Sequence, residues 1–595
     1  MTFSDSSHIG LNQLPSQLSQ KIGLGDYGFG FLSFVSLDAN APKFFGFSEF
    51  LAGLALMALV WTIADIRYRF RVSIAPIPLQ GITFFVVAAV GVFTLVIDFW
   101  RAEQWLVPQG NVLTPALWQA LLAGLFLMTF LTWSWFAFIH PPIYGKSNAE
   151  RYAKTLYKFI LKGVPSELAV IADELTESAK SLVHHATVRD KYKSSTSIGD
   201  DEVIKNISKV QGYADDIFLL IADKRFCRTV VETSPTTVRA IFYEIGITKK
   251  YGIPVEIFAK NIVNEALINR DSFLFHEVQM YDSGLIGYHK PLSQAMFANY
   301  RMVETIGTLL DPDIVGHRQW DSTQWEAYCR VVLITLIDYV ENISIWEHSY
   351  AIYRAMGNIE KAVFDLYKLN GREDSVWDDD VPDRLRIVVD FIINVVEILD
   401  KKGVPKHLPL RVRQKRQRGN IYDHLAKLVF EIIRSASLVH HPKELCWSIQ
   451  HNSVWSMLFN FDVIKGSAGK VLKFKVRRLI YDEVIAMNRF PNFMGAQILG
   501  FCLNVMGLTI RADNNDRDSR AIQKVILSWT RKYYVWLYSY NSRVAEACLV
   551  DGFIFDQEHL RLVRNYPVDG LRRTPYHVYF ELDPSPTASN TTDSP

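Results

Sequence analysis

Between Gln104 and Gly145 the chain contains no Asp, Glu, Lys or Arg. A run this long and this apolar fits few places other than a bilayer or the centre of a very large core, so it limits the fold more than any other feature. Its densest part is Ala116–Ile139. A second segment is charge-free from Val72 to Ile97, and a third from Phe50 to Ala64, bracketed by Glu49 and Asp65. A hydrocarbon core of about 30 Å takes about 20 residues at a rise of about 1.5 Å. The two later segments meet that length; the first does so only when Phe44–Ser48 is added, which puts Glu49 near an interface. Three transmembrane helices are therefore expected, over about 45–66, 80–99 and 115–139. The first 40 residues lack a basic stretch running directly into a short apolar core, so these segments are expected to persist in the mature protein.

The charge distribution repeats this division. Residues 1–144 carry 6 Lys+Arg and 7 Asp+Glu out of 64 and 62 in the whole chain. Positive charge in short flanking loops sets orientation. Arg67, Arg69 and Arg71 follow the first segment, and Lys146, Arg151, Lys154 and Lys158 follow the third. The N-terminus is then expected outside a plasma or inner membrane, with the large C-terminal body in the cytosol. Trp100, Trp105 and Trp118 would mark the outer interface, and Trp133 and Trp135 the inner one. Five cysteines with no C-x-x-C spacing argue against a disulfide framework and agree with a reducing compartment.

Within the third segment Ala116, Ala120 and Gly124 form a small-x-x-x-small ladder, a face that admits close approach of another helix. Packing against the other two helices is the plainer expectation, and self-association the alternative. Asp65 and Asp98 sit at segment ends, within reach of water. A conducting pore would therefore have to form between protomers.

From Ser147 onward the apolar period is near that of an α-helix. Ser147 and Glu150 have capping-box spacing, and the helix they open is expected to continue the third span after the His140-Pro141-Pro142 break. Further helices are expected over 166–186, 200–224, 236–249, 254–268, 291–310, 322–369, 383–402, 421–437, 470–489, 494–510 and 517–546. Ser272–Tyr281 and Tyr576–Leu582 are the best strand candidates. The fold class is all-α: three N-terminal transmembrane helices, then a large, mainly α-helical cytosolic domain. Its divisions are an N-terminal segment (1–43), a membrane domain (44–140), a helical body (141–583) that admits a split near 371–382, and a polar, disordered tail (584–595). The repeated SLVHH, at Ser181–His185 and Ser437–His441, lacks matching flanks and does not establish a duplication.

Several motifs fail on context. Tyr213-Ala-Asp-Asp216 and the Val107–Pro115 segment resemble parts of reverse transcriptases, but the latter leads into a membrane helix and the former reads as helix. Gly23-x-Gly25-x-x-Gly28 has no preceding strand or crossover unit, as a dinucleotide fingerprint requires. Asp513–Asp518 lacks the turn glycine and terminal Glu of a calcium loop. His440, His441, Cys446 and His451 are of zinc-ligand type, but steps of five rotate by about 140° per step on an α-helix and do not converge.

The most specific feature of the body is a basic run in 401–418: Lys401, Lys402, Lys406, Arg411, Arg413, Lys415, Arg416 and Arg418, with no acid among them. A solvated face, or neutralisation by the acidic stretch at 373–383, is the plain expectation. Anionic lipid headgroups or nucleic-acid phosphates are the functional one. No catalytic constellation and no cofactor are expected. The expected partners are the lipid bilayer and a protein partner or second copy. The expected function is a membrane anchor tethering an interaction or sensing domain, as in stress or defence signalling. An oligomeric channel or transporter component, or a membrane-anchored hydrolase or nuclease, are the rivals.

Overall fold

The computed structural model describes residues 33–36, 43–63, 65–109, 114–189, 208–279, 290–313, 320–342, 348–372, 379–410, 419–459, 464–510, 517–566 and 574–584. The 1–32 segment, with its glycine motif, most of the acidic 373–383 stretch and the C-terminal tail lie outside these residues. The chain divides into two units, Met1–Pro142 and Ile143–Pro595.

Two helices in the first unit are long and apolar enough to cross a membrane, Leu79–Ala102 and Ala116–Ile139, each of 24 residues. That is about 36 Å of helix against a core of about 30 Å. The first segment differs from expectation. It forms a helix of 17 residues, Phe47–Ile63, and the chain then bends by 107° into a second helix, Ile66–Ser73. The Asp65 carboxylate accepts the Ile66 N–H at 2.6 Å and so starts a new helix, which carries Arg67, Arg69 and Arg71. Among the described residues the candidate spans are thus two, or three if the bent pair crosses as one.

The three apolar helices meet through aromatic rings. Phe50, Met57, Val87 and Val90 are buried together, and Leu122, Phe126 and Phe130 pack on them. A Cβ on Gly91 would lie 2.8 Å from the Phe50 ring, and one on Gly53 2.9 Å from Phe126, so both glycines admit a ring against backbone. Asp98 is more than a solvated end residue. Its Oδ2 accepts the Phe47 N–H at 2.9 Å and its Oδ1 pairs with Lys43 at 3.3 Å. The Gln119 carbonyl accepts the Phe44 N–H at 2.9 Å, so side chains from both later helices fasten the start of the first. Strand Ser33–Ser36 pairs antiparallel with Leu106–Gln109.

The described structure is predominantly helical, 73% helix against 4% strand, as an all-α reading requires. The Ile421–Ser437 helix falls on the expected residues, opened by a reciprocal box in which Asn420 and Asp423 cap each other's backbone. Elsewhere local polar groups cut the helices shorter. The 322–369 stretch holds Ser322–Asn342, Tyr350–Ile359 and a 3₁₀ segment, Glu360–Leu369, with Ser349 capping the second. Asn299 caps a new helix, Tyr300–Ile306, inside 291–310, and Asn541 does the same inside 517–546. Ser147 caps nothing at its expected site: the helix begins at Ala149, with Glu150 paired to Lys154.

Over its described residues, 272–279, the Ser272–Tyr281 segment is not a strand. Phe273–Gln279 is helical; its buried Leu274, Phe275 and Val278 share a helical face, and Ser272 accepts the Phe275 N–H. Strand structure in the body lies near its end, where Phe553–Asp556, Arg561–Tyr566 and Tyr576–Glu581 form an antiparallel sheet in that order. Only the last of the three was expected. All five cysteines are buried and unpaired with one another.

Candidate functional site

The basic run divides at the edge of the described residues. Lys401 and Lys402 end the Asp380–Lys402 helix, where cations complement the C-terminal carbonyls, and Lys402 donates to the Glu341 carbonyl at 2.8 Å. Lys406 is exposed in the turn that follows. Arg411, Arg413, Lys415, Arg416 and Arg418 lie outside the described residues. A buried node holds the stem of the run: Lys475 donates to Asp423 at 2.7 Å and to the Pro409 carbonyl at 2.6 Å, with both charged side chains at most 1% exposed.

The histidine and cysteine group does not converge. The His440 backbone N–H donates to the Asn370 side-chain oxygen at 2.7 Å, His441 is exposed, and Cys446 is buried against Asn504 at 3.4 Å. Burial pushes the Cys446 thiol up to about 12, away from the reactive thiolate. Among the described residues no group of three or more His, Cys, Asp or Glu is placed to hold a metal. The divergence by about 140° per step holds for an α-helix, whereas Ser448–Ser456 is a π-helix. Its wider i→i+5 turn brings residues four apart nearly into line, and such turns concentrate at functional sites.

The wider turn sets Trp447, His451 and Trp455 along one wall of a cleft of about 830 Å³. Trp447 and His451 are stacked at 4.0 Å and 10°, and Trp455 stacks on Phe459 at 4.2 Å. Thr509, Ser519 and Gln523 also line the cleft. The Gln523 amide donates to the carbonyls of Met506, Gly507 and Thr509 and fixes the turn beneath the cleft. Tyr566 and Tyr576 come from neighbouring strands of the C-terminal sheet.

Arg564, on the central strand of that sheet, is the buried cation of the cleft. Its guanidinium lies 5.0 Å from the Phe553 and Tyr566 ring centres and 5.4 Å from that of Trp447. It donates to the Asn504 carbonyl at 3.0 Å and the Asn504 side-chain oxygen at 3.2 Å. Asn504 in turn donates to Gln450 at 3.0 Å, and Gln450 to the Val439 carbonyl at 2.9 Å. Every member of this chain is therefore oriented by the next. Lys443 lies 5.4 Å from the Tyr566 ring centre and donates to the Asn565 carbonyl. The arrangement combines a preset cation fork, flat aromatic surface and small hydrogen-bonding side chains, the makings of a small-molecule site.

A second cleft, of about 530 Å³, contains His424, Tyr353, Lys361 and Lys427. The His424 ring stands 3.3 Å from that of His348, and burial with this neighbour lowers its pKa to about 4, leaving it neutral near pH 7. Nearby Glu360 titrates above the usual carboxylate range through burial and the adjacent Glu431.

Sequence reasoning missed both clefts. The Trp447-x-x-x-His451-x-x-x-Trp455 spacing was the available signal, although an aromatic row is more often core than site. Comparison with protein-family models, curated proteins and solved structures gives no match.

Proposed function

We propose that the chain is an integral membrane protein whose N-terminal helices tether a large helical sensing domain, with the body on the cytosolic side. The observation that carries this reading is the pairing of two or three membrane-length apolar helices with a separate unit that presents a preformed aromatic and cationic cleft. A tether confines ligand recognition to the membrane surface, where a stress or defence signal is delivered. Carbonate and high-salt washes test the anchor: the intact chain should remain in the membrane pellet and be released by mild detergent. Release by carbonate alone would sink the reading.

Self-association through the third helix is a second element of the proposal. A Cβ on Gly124 would meet nothing within 4 Å, and Leu121, Leu125 and Met128 nearby are exposed. The ladder of Ala116, Ala120 and Gly124 is thus available to another helix, and an oligomeric channel component is the rival reading that this face favours. The basic run at 401–418 would serve this arrangement by meeting anionic headgroups at the inner leaflet.

A further inference from the structure

Arg564 is 6% exposed. Among the described residues no carboxylate pairs with it; its polar contacts are the two to Asn504. The carbonyl end of the Phe493–Met506 helix offsets part of its charge. A buried cation without a counter-ion is nevertheless costly, and burial here lowers its proton affinity. Two of its five N–H groups point to Asn504, and the guanidinium faces the largest of the clefts described above. The chemistry missing from this place is an anion that a planar fork can grip.

The wall beside it narrows the class further. Trp447, at the end of the Lys443–Trp447 helix, and His451 and Trp455, on the π-helix that follows, present half-buried rings. Such a row accepts a planar heterocycle by stacking, whichever base it carries. Among the described residues Glu444 is the one acidic residue lining the cleft, and it is exposed, so these residues favour negative charge. Ser519 and Thr509 also line the cleft, and Thr509 is exposed. A volume of about 830 Å³ is in the range of small-molecule sites.

We propose that this cleft binds a nucleotide: its phosphate takes the Arg564 fork and its ring lies along the Trp447–His451–Trp455 row. Arginine suits the phosphate end because its paired N–H groups match two phosphate oxygens at once. The proposal rests on the sensing reading above and names the ligand of that same site.

Isothermal titration of the full-length chain in detergent micelles tests it, with the ribonucleoside mono- and triphosphates, the nucleosides and inorganic phosphate as probes. At least one nucleotide should bind saturably, with its nucleoside and inorganic phosphate each at least tenfold weaker. Trp447→Ala and Arg564→Gln should each weaken binding at least tenfold, with Arg564→Lys in between. Because Arg564 also caps a helix, Thr509→Glu provides an independent arm. It places a carboxylate at the exposed mouth and should weaken binding tenfold at an unchanged melting temperature. Binding by none of the nucleotides, or binding unchanged in both Thr509→Glu and Trp447→Ala, overturns the nucleotide assignment. A thermal-shift screen of carboxylates, sugar phosphates and short peptides separates the two readings. If one of these stabilises the wild type but not Thr509→Glu, the sensing reading stands and the nucleotide class falls. If no compound of any class stabilises the wild type, both fall.

Discussion

Asp423 shows how much one side chain can do. It closes the reciprocal cap with Asn420 and pairs with Lys475, which also holds the Pro409 carbonyl at the foot of the basic run. Removing the cation alone leaves a buried carboxylate uncompensated. Lys475→Met is therefore expected to lower stability by about 3 kcal/mol in denaturant unfolding, and Lys475→Met with Asp423→Asn to lower it by less. His424 makes the body sensitive to acid. Its ordinary value is 6.5 and its folded value about 4, so between these the unfolded chain binds more protons and stability falls as the pH drops. The full loss is about 3 kcal/mol. Melting temperatures at pH 7 and pH 4.5 should diverge in the wild type and converge in His424→Gln. Neither residue stands out in the sequence, where both sit inside an ordinary amphipathic pattern, because their character comes from partners 52 and 76 positions away.

Elements were legible wherever the apolar period was long and the caps were simple, as in Ile421–Ser437. The misreadings have local causes. Interior Ser and Asn side chains captured free N–H groups and split helices that periodicity alone would have joined, at Ser349, Asn299 and Asn541. Four apolar residues among six, Phe273–Val278, fit a strand as well as a helix, and tertiary burial chose the helix. Two short strands, Phe553–Asp556 and Arg561–Tyr566, gave little alternation to detect. At this scale Gly124 offers a clean test. Since a Cβ there meets open space, Gly124→Leu should leave the melting temperature in detergent unchanged. Crosslinking or light scattering should then show loss of any oligomer that uses this ladder.

At the scale of the whole molecule, two units of different composition share one chain, the first with long apolar helices and the second rich in charge. The proposed orientation predicts that protease added to inside-out vesicles degrades the body, while right-side-out vesicles protect it. Cleavage of the body in right-side-out vesicles would reverse the assignment. Composition by itself determined that apolar helices lead and a charged helical body follows, because transfer into a bilayer depends on additive, local properties of about 20 consecutive residues. The tertiary structure decided the rest: that the first apolar segment bends at Asp65, that Asp98 and Gln119 fasten its start, and that Arg564 meets Trp447 beside a cleft. The bend at Asp65 is a local cap, whereas the other contacts join residues tens to more than a hundred positions apart. A sequence pattern carries the period of each helix but not the faces that come to meet.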